Sequence, residues 1–238
     1  MSVAEAKQYY VPLDDYLDIE RLQSLDGILR AKLDAFLNDR EQAPTYFSAG
    51  ERLDPAVPGR IGTRTVRLMD QTSGGYYQIH DASCWQKTAL ADEFPELMAF
   101  VNDLPFESYG RAFIIFDDNG ISEPVHRDHG DPDLHQEFIW FRPNKVKRFY
   151  VYDKASKEKH YVQSYACWFD TRHYHGTDPA EGLSMSIRVD GVFTPEFRRI
   201  VSQCPNLVQP RDLTVAEKIK RRLYNAGKKL GVVSPASA

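Results

Sequence analysis

The sequence predicts a mainly β protein with flanking helices, built around a double-stranded β-helix, or jelly roll. From Arg111 onward it contains short runs rich in β-branched and aromatic residues, separated by turn residues. The runs are AFIIFDD, EPVHRD, EFIWFR, RFYVYD, HYVQS, ACWFD and LSMSIRVDGVF. No helical pattern intervenes between them, which favours an antiparallel barrel or sandwich over a parallel α/β sheet. A jelly roll is the antiparallel architecture that best fits this many short strands.

The residues before this region predict two helices that cover the barrel. Apolar residues recur at three- and four-residue spacing over residues 19–37, and again over residues 92–104. Prolines and glycines crowd residues 44–72, which predicts a loop that is a candidate lid over an active site. Two short strands are expected at residues 65–68 and 76–80.

The 238 residues are expected to form one domain. Helices and loops occupy about residues 1–108, the jelly roll about residues 109–200, and a basic extension about residues 211–238. Within that extension, residues 214–230 predict a basic helix. The sequence favours a solvated terminal helix over one docked on an anionic membrane surface or on a partner.

Charge and composition exclude several classes of protein. The net charge is −4, so nucleic acid is not an expected partner, because its binders usually carry an excess of basic residues. No apolar run reaches the roughly 18 residues that span a bilayer, and no signal-peptide pattern is present, so a cytoplasmic protein is expected. The three cysteines are far apart and lack a CxxC spacing, which argues against a disulfide framework or a cysteine zinc site.

Histidines near the middle of the chain predict a metal site. In EPVHRD, a strand would place His126 and Asp128 on the same face, because side chains alternate in direction along a strand. A second pair with the same spacing, His129 and Asp131, is disfavoured because the neighbouring glycine and proline predict a turn there. His126 and Asp128 are therefore the preferred local ligands.

A third ligand is expected from the segment DTRHYHG on a neighbouring strand. Spacing alone leaves two alternatives open, because His173 and His175 lie on the same strand face. Two histidines and one carboxylate on one side of an ion leave the other positions free for substrates. That arrangement is typical of non-heme Fe(II) oxygenases.

The strand LSMSIRVDG predicts an arginine that points into the barrel. Its residues alternate between an apolar face and a polar face; the apolar ones are Leu183, Met185, Ile187 and Val189, and the polar ones are Ser184, Ser186, Arg188 and Asp190. If the apolar face packs against the helices, Arg188 faces the interior, where a guanidinium is costly unless it meets an anion. Arg188 is therefore a candidate carboxylate clamp, and an ordinary arginine on a solvent-facing strand is the alternative.

Together these residues resemble the iron- and 2-oxoglutarate-dependent dioxygenase superfamily. The resemblance rests on the HRD motif at residues 126–128, on DTRHYHG at residues 170–176 and on Arg188, and it covers roughly residues 112–193. DTRHYHG is similar to the Asn-x-Arg-x-x-His-Gly pattern of clavaminate-synthase-like members, with aspartate in the first position. That match favours His175 as the third ligand.

The resemblance implies a set of site residues and co-substrates. Fe(II) would be held by His126, Asp128 and His175, and 2-oxoglutarate would bind it through its C1 carboxylate and keto oxygen. Arg188 would pair with the distal carboxylate, assisted by Ser186. With O2 as the other co-substrate, 2-oxoglutarate would be converted to succinate and CO2, coupled to hydroxylation of a small or medium-sized organic substrate. Because residue 128 is a carboxylate, the halogenating variant of the chemistry is not expected.

Four further side chains are candidates for substrate binding: Trp140, Arg142, Tyr150 and Arg172. Core packing is the alternative for the aromatic residues, and an ordinary surface charge is the alternative for the arginines. Two other functions also stay open. One is a non-catalytic cupin-like protein that binds a metal or ligand, and the other is a cupin metal enzyme that does not use 2-oxoglutarate.

Overall fold

The structure is a computed structural model, and it describes residues 7–39, 64–73, 78–117, 120, 122–129, 135–211, 214–216, 219 and 223. Most of the predicted loop at residues 44–72 and most of the predicted basic helix at residues 214–230 lie outside this part of the chain, as does Asp131. Within it, no helix has the length and apolar character that crossing a membrane requires.

Eleven strands are present in the described residues, and all of their pairings are antiparallel. The strands are β1 (Val11–Pro12), β2 (Arg64–Arg67), β3 (Met69–Gln71), β4 (Trp85–Lys87), β5 (Phe106–Asp117), β6 (Phe138–Phe141), β7 (Arg148–Asp153), β8 (Glu158–Tyr161), β9 (Ala166–Trp168), β10 (Tyr174–Asp178) and β11 (Ser184–Phe193). The larger sheet has the order β1-β9-β6-β11-β5-β2, and the smaller has the order β10-β7-β8. β3 and β4 form a separate pair.

The order of pairing is that of a double-stranded β-helix. Along the chain, strands of the larger sheet (β5, β6, β9 and β11) alternate with segments of the smaller one, so the chain passes repeatedly between the two sheets. An antiparallel bridge between His126 and His175 adds the segment before β6 to the edge of the smaller sheet. This topology confirms the predicted jelly roll. The predicted strand EPVHRD is limited to that bridge, and Pro124 has no backbone N–H to extend the pairing.

The helices cover the outer face of the larger sheet. They are α1 (Ile19–Ser24), α2 (Asp26–Asn38), α3 (Pro95–Asn102) and α4 (Pro195–Ser202). Leu22, Leu29 and Leu33 are buried in one core cluster with Ile187 of β11. The single helix predicted over residues 19–37 is interrupted at Leu25, which separates α1 from α2.

The helix predicted over residues 92–104 is shorter in the structure. It begins at Pro95, because proline is well suited to the first helical position, where its missing N–H is not needed. A 3-10 turn, Ala89–Glu93, precedes it. Leu97, Met98 and Val101 form the buried face of α3.

The two faces of β11 are buried against different surroundings. The apolar residues Leu183, Met185, Ile187 and Val189 belong to the core cluster that contains the helices. Ser186 and Arg188 point to the opposite side, into a cavity between the two sheets. The predicted division of this strand into an apolar and a polar face is therefore confirmed.

A β-bulge interrupts the pairing of β11 with β5. The register is regular as far as Val189, after which two residues of β5, Gly110 and Arg111, stand opposite Asp190. Bulges bend a strand and change the direction of a side chain, and they are frequent beside functional sites. Arg111 lies on the inner side of β5, like Phe113 and Ile115, and contacts Asp190 at the bulge.

Replacing Gly191 with alanine should destabilise the fold, because the two backbones approach closely beside the bulge. A Cβ atom at Gly191 would lie 2.5 Å from the Ser108 carbonyl oxygen, whereas a Cβ at Gly27 in α2 would meet no atom within 4 Å. Urea unfolding followed by circular dichroism should show that Gly191→Ala loses about 1 to 3 kcal/mol of unfolding free energy. Gly27→Ala should leave that free energy unchanged or slightly raised, and an equal loss in both variants would contradict the close approach.

Candidate metal centre

Three predicted ligands converge in the cavity between the two sheets. His126 and His175 face each other across the bridge, where their backbones exchange hydrogen bonds of 2.9 and 2.7 Å. The Nε2 atoms of His126 and His175 lie 3.6 and 3.4 Å from Oδ1 of Asp128. One possible ligand atom from each residue lies within 4.8 Å of the other two. This is the geometry of a cluster that can hold one metal ion.

Backbone carbonyls orient both imidazole rings toward Asp128. Nδ1 of His126 lies 2.8 Å from the Pro124 carbonyl oxygen, and Nδ1 of His175 lies 3.0 Å from the His173 carbonyl oxygen. A carbonyl oxygen only accepts, so in the neutral rings the hydrogen is on Nδ1 and the Nε2 atoms carry lone pairs. Two lone pairs and a carboxylate oxygen thus face one another, an arrangement that a cation satisfies.

The Asp128 carboxylate is held ionised by its neighbours. Burial alone would raise its pKa, but Arg188 and the contacts with the two histidines hold that pKa well below the usual range. Arg188 donates from Nη1 to Oδ2 of Asp128 at 2.7 Å. Oδ2 is therefore occupied, and Oδ1 is the oxygen that faces His126 and His175.

His126 responds to the same carboxylate. Burial favours its neutral ring, yet the contact with Asp128 and the neighbouring acceptors outweigh this effect and raise its pKa. A cation placed among the three ligands would therefore compete with a proton on His126.

Arg188 lies inside the barrel, and most of its donors are already engaged. Besides Asp128, it donates from Nε and Nη2 to Asp190, at 3.1 and 2.8 Å to Oδ1, and from Nη2 to Gln136 Oε1 at 2.9 Å. Its guanidinium carbon lies 4.0 Å from the centre of the Phe138 ring. Four of its five N–H groups thus have protein partners. The predicted carboxylate clamp keeps a single N–H, on Nη1, for a further ligand.

The cavity has a volume of about 440 Å³ and combines an aromatic wall with buried polar groups. Phe113, Trp140, Phe149 and Phe169 supply the aromatic surface. Ser186 is fully buried there, and its Oγ has no hydrogen-bond partner among the described residues.

Lys147 is a buried cation in this cavity that the sequence analysis missed. Its Nζ donates to Oδ2 of Asp117 at 2.6 Å, and both side chains are almost completely buried. Oδ1 of Asp117 has no partner in the described part of the chain. In sequence Lys147 is one of two lysines in KVKRF, and nothing in that pattern distinguishes it.

The structure separates the two alternative histidines. Nε2 of His173 lies 2.8 Å from the Val208 carbonyl oxygen, so this ring is turned away from Asp128. β10 begins at Tyr174, and His173 therefore lies in the preceding bend rather than on the strand face that His175 occupies.

Of the four candidate substrate contacts, only Trp140 lines the cavity. Arg142 donates to the backbone carbonyls of Lys147, Val162 and Ser164, so it fastens the neighbouring loops. Tyr150 packs against Tyr161, away from the metal ligands.

Arg172 is also outside that cavity. It forms an ion pair with Asp170 at 2.5 Å and faces a different cavity, on the side of the smaller sheet that bears Tyr174. Its position beside the metal ligands in sequence does not bring its side chain to them.

Comparisons with known proteins give no assignment from sequence: no protein-family model and no curated protein matches the chain. Among solved structures it is similar to a prolyl-4-hydroxylase from Pseudomonas putida, with 12% identity, a TM-score of 0.41, and 78% of this chain and 93% of that one covered. It is also similar to an oxidoreductase of the 2OG-Fe(II) oxygenase family from Burkholderia pseudomallei, with 12% identity and a TM-score of 0.39. That similarity covers 74% of this chain and 90% of the other. A third similar structure is a prolyl hydroxylase from Trichoplax adhaerens in complex with a hypoxia inducible factor peptide fragment, with 13% identity and a TM-score of 0.43. That similarity covers 82% of this chain and 88% of the other. Similarities at this level carry no functional assignment.

Removing the charge of Asp190 should make the protein much less stable, because this fully buried carboxylate pairs with both Arg188 and Arg111. Breaking a buried pair leaves an uncompensated charge, so Asp190→Asn should lower the unfolding free energy by about 3 to 5 kcal/mol. Asp103 pairs with Arg21 at the surface, and Asp103→Asn should change the unfolding free energy by less than about 1 kcal/mol. Similar losses in the two variants, measured by urea unfolding, would contradict the central position of Asp190.

Proposed function

We propose that this chain is an Fe(II)- and 2-oxoglutarate-dependent oxygenase that hydroxylates an unactivated C–H bond in a small or medium-sized organic substrate. The observation that carries the proposal is the convergence of two imidazole lone pairs and one ionised carboxylate oxygen, from His126, His175 and Asp128. Nitrogen and oxygen ligands in this ratio suit non-heme Fe(II). When bound, Fe(II) supplies the oxidative chemistry, with O2 and 2-oxoglutarate as co-substrates.

The chain's own residues hold these ligands in a fixed geometry. The Pro124 and His173 carbonyls fix the two rings, and Arg188 holds Oδ2 of Asp128 so that Oδ1 is available for the ion. Such supporting hydrogen bonds set ligand orientation and basicity. Three protein ligands would leave further coordination positions of an ion available to co-substrates.

The charges around the cavity favour an anion once a divalent cation is bound. Arg188, Arg111 and Lys147 pair with the carboxylates of Asp128, Asp190 and Asp117, and Glu123, which also lines the cavity, adds a fourth carboxylate. With a divalent ion, these groups would carry one net positive charge. An anion such as 2-oxoglutarate offsets that charge in a site where uncompensated charge is costly.

Lys147 is our candidate for the group that binds the distal carboxylate of 2-oxoglutarate. Among the described residues, only Asp117 engages one of its three N–H groups, whereas Arg188, predicted for this role from the sequence, has one N–H left. Ser186 Oγ has no partner in that part of the chain, and Thr177 Oγ1 accepts from the Glu123 N–H, so both hydroxyls are able to donate into the cavity. A lysine and two hydroxyls form a suitable receptor for a carboxylate.

The aromatic wall of the cavity restricts the access of water to the site. Phe113, Trp140, Phe149 and Phe169 line the cavity and limit the room for water. Exclusion of water strengthens the electrostatic interactions inside a site and suppresses side reactions. These residues therefore suit an oxidation that solvent would otherwise quench.

Anaerobic titration of the Fe(II)-loaded protein with 2-oxoglutarate tests the proposed function. A weak visible charge-transfer band should appear, because a 2-oxo acid chelates the iron. His175→Ala should abolish the band, and His173→Ala should keep it, since that ring points to the Val208 carbonyl. Iron binding without a band would contradict the use of 2-oxoglutarate and favour a different metal enzyme or a binding protein. Absence of iron binding would contradict the metal centre itself.

Substitutions of the two cavity cations should affect different ligands. Lys147→Met should weaken 2-oxoglutarate binding about tenfold or more, as expected for the loss of one charge-assisted contact, with little effect on metal affinity. Arg188→Met should weaken both, because Asp128 loses its partner. Calorimetry with Zn²⁺ and then 2-oxoglutarate measures the two affinities separately.

The double variant Lys147→Met, Asp117→Leu removes both members of the buried pair and guards against misfolding. It should bind 2-oxoglutarate as weakly as the single variant. If both variants bind 2-oxoglutarate with unchanged affinity and Arg188→Met alone loses that affinity, then Arg188, and not Lys147, binds the distal carboxylate.

A further inference from the structure

A second cavity adjoins the one that contains the metal ligands. It has a volume of about 300 Å³ and lies among β2, β3, β4 and the bulged part of β5. Thr65, Arg111 and Phe113 line both cavities, so the two are neighbours with a shared wall. A substrate seated in the second cavity would therefore lie beside the first.

Arg111 is held rigidly at this junction. Its Nε donates to Oδ2 of the fully buried Asp190 at 2.8 Å, and its guanidinium carbon lies 5.0 Å from the centre of the Phe113 ring. Its side chain points inward from the same face of β5 as Phe113, and the Arg111 N–H donates to the Ile79 carbonyl at 2.8 Å. Three contacts therefore fix both the backbone and the plane of the guanidinium.

The terminal nitrogens of Arg111 are available to a ligand. Neither Nη1 nor Nη2 has a hydrogen-bond partner among the residues that the structure describes, and 23% of the side chain is exposed. A guanidinium that is largely withdrawn from water, oriented in advance and free at its forked end, matches the two oxygens of a carboxylate or phosphate. The contacts with Asp190 and Phe113 reduce the entropy that such binding would lose.

The remaining lining favours an organic anion over a simple ion. Met69, Ile79, Trp85 and Phe113 supply an apolar surface, and Arg67 adds a second cation. No acidic side chain lines this cavity within the described residues. The pairing of Arg67 with Asp70 is loose, at 3.8 Å, and both side chains are about half exposed.

We propose that the substrate carries an anionic oxygen group, a carboxylate or a phosphate, on an apolar skeleton, and that the terminal nitrogens of Arg111 bind this group. The apolar skeleton packs against Trp85 and Phe113, which places the substrate beside the metal ligands. This inference rests on the proposed function for its identification of the ligand as substrate. The anion site itself rests on Arg111 and its surroundings alone.

The test uses three probes with one apolar skeleton: 2-naphthoate, 2-naphthyl phosphate and the neutral 2-naphthamide. Calorimetry is performed on the full chain with Zn²⁺ and saturating 2-oxoglutarate, so that the co-substrate does not compete as an anion. At least one acid should bind about tenfold or more tightly than the amide, as expected for a charge-assisted contact. The preferred acid distinguishes a carboxylate from a phosphate substrate.

Four variants test whether Arg111 causes the preference for the acids. Arg111→Gln should remove it, and Arg111→Lys should restore part of it, because lysine keeps the charge without the fork. Arg148→Gln is the matched control, since Arg148 also stacks on an aromatic ring, Tyr161, but lies outside both cavities. Arg67→Gln, an exposed change that spares Asp190, should weaken acid binding by a smaller factor.

Three results would overturn the inference: neither acid binds, the amide binds as well as the acids, or Arg111→Gln keeps the preference while it remains folded. If they occur while the iron and 2-oxoglutarate titration succeeds, the proposed function stands and the substrate class is wrong. If the acids bind through Arg111 while iron or 2-oxoglutarate does not bind, the anion site stands and the proposed function falls.

Discussion

The rest of the site depends on the ion pairs that the guanidinium of Arg188 forms with two carboxylates. The guanidinium lies between Asp128, on the segment that joins the smaller sheet, and Asp190, on β11 of the larger sheet, so it fastens the two sheets together at the metal ligands. A charged side chain with so little exposure is stable only when its donors are satisfied, and here four of five are. The same contacts orient Asp128. One residue therefore contributes both to the stability of the barrel and to the geometry of the ligand set.

The alternation along β11 explains why a charged interior is possible at all. Leu183, Met185, Ile187 and Val189 bury one face against the helices, and the strand geometry then forces every second residue to the other side, where Ser186, Arg188 and Asp190 lie. Apolar burial on the outer face provides the free energy that holds the strand in place. The polar row is thereby carried into the barrel, and its charges are accommodated only because they pair with one another.

The series of short β-rich runs was sufficient to predict the jelly roll, and alternation of period two was sufficient to predict the polar face of β11. Alternation also put His126 beside Asp128, although the strand expected there is limited to the bridge at His126. These patterns could not decide between His173 and His175, because that choice depends on where β10 begins, and the strand starts only at Tyr174. Nor could they show that Arg188 would meet Asp128, a residue 60 positions away. Lys147 and Arg111 were missed for the same reason. Their roles come from burial and from contacts across the fold, and neither leaves a local signal in the sequence.

Asp190 connects the metal ligands to the neighbouring cavity. Both of its oxygens accept from Arg188, which holds Asp128, and Oδ2 also accepts from Arg111. The terminal nitrogens of Arg111, which have no partner among the described residues, lie at the junction of the two cavities. A single buried carboxylate thus fixes the position of a metal ligand and of an anion receptor relative to each other. Alternation along β5 places Arg111 on the cavity side, the same side as Phe113 and Ile115, and the bulge lies opposite Asp190 at this point. The distance between the site of oxidation and the site that binds the anion is therefore built into the pairing of β5 with β11, and not into a mobile loop.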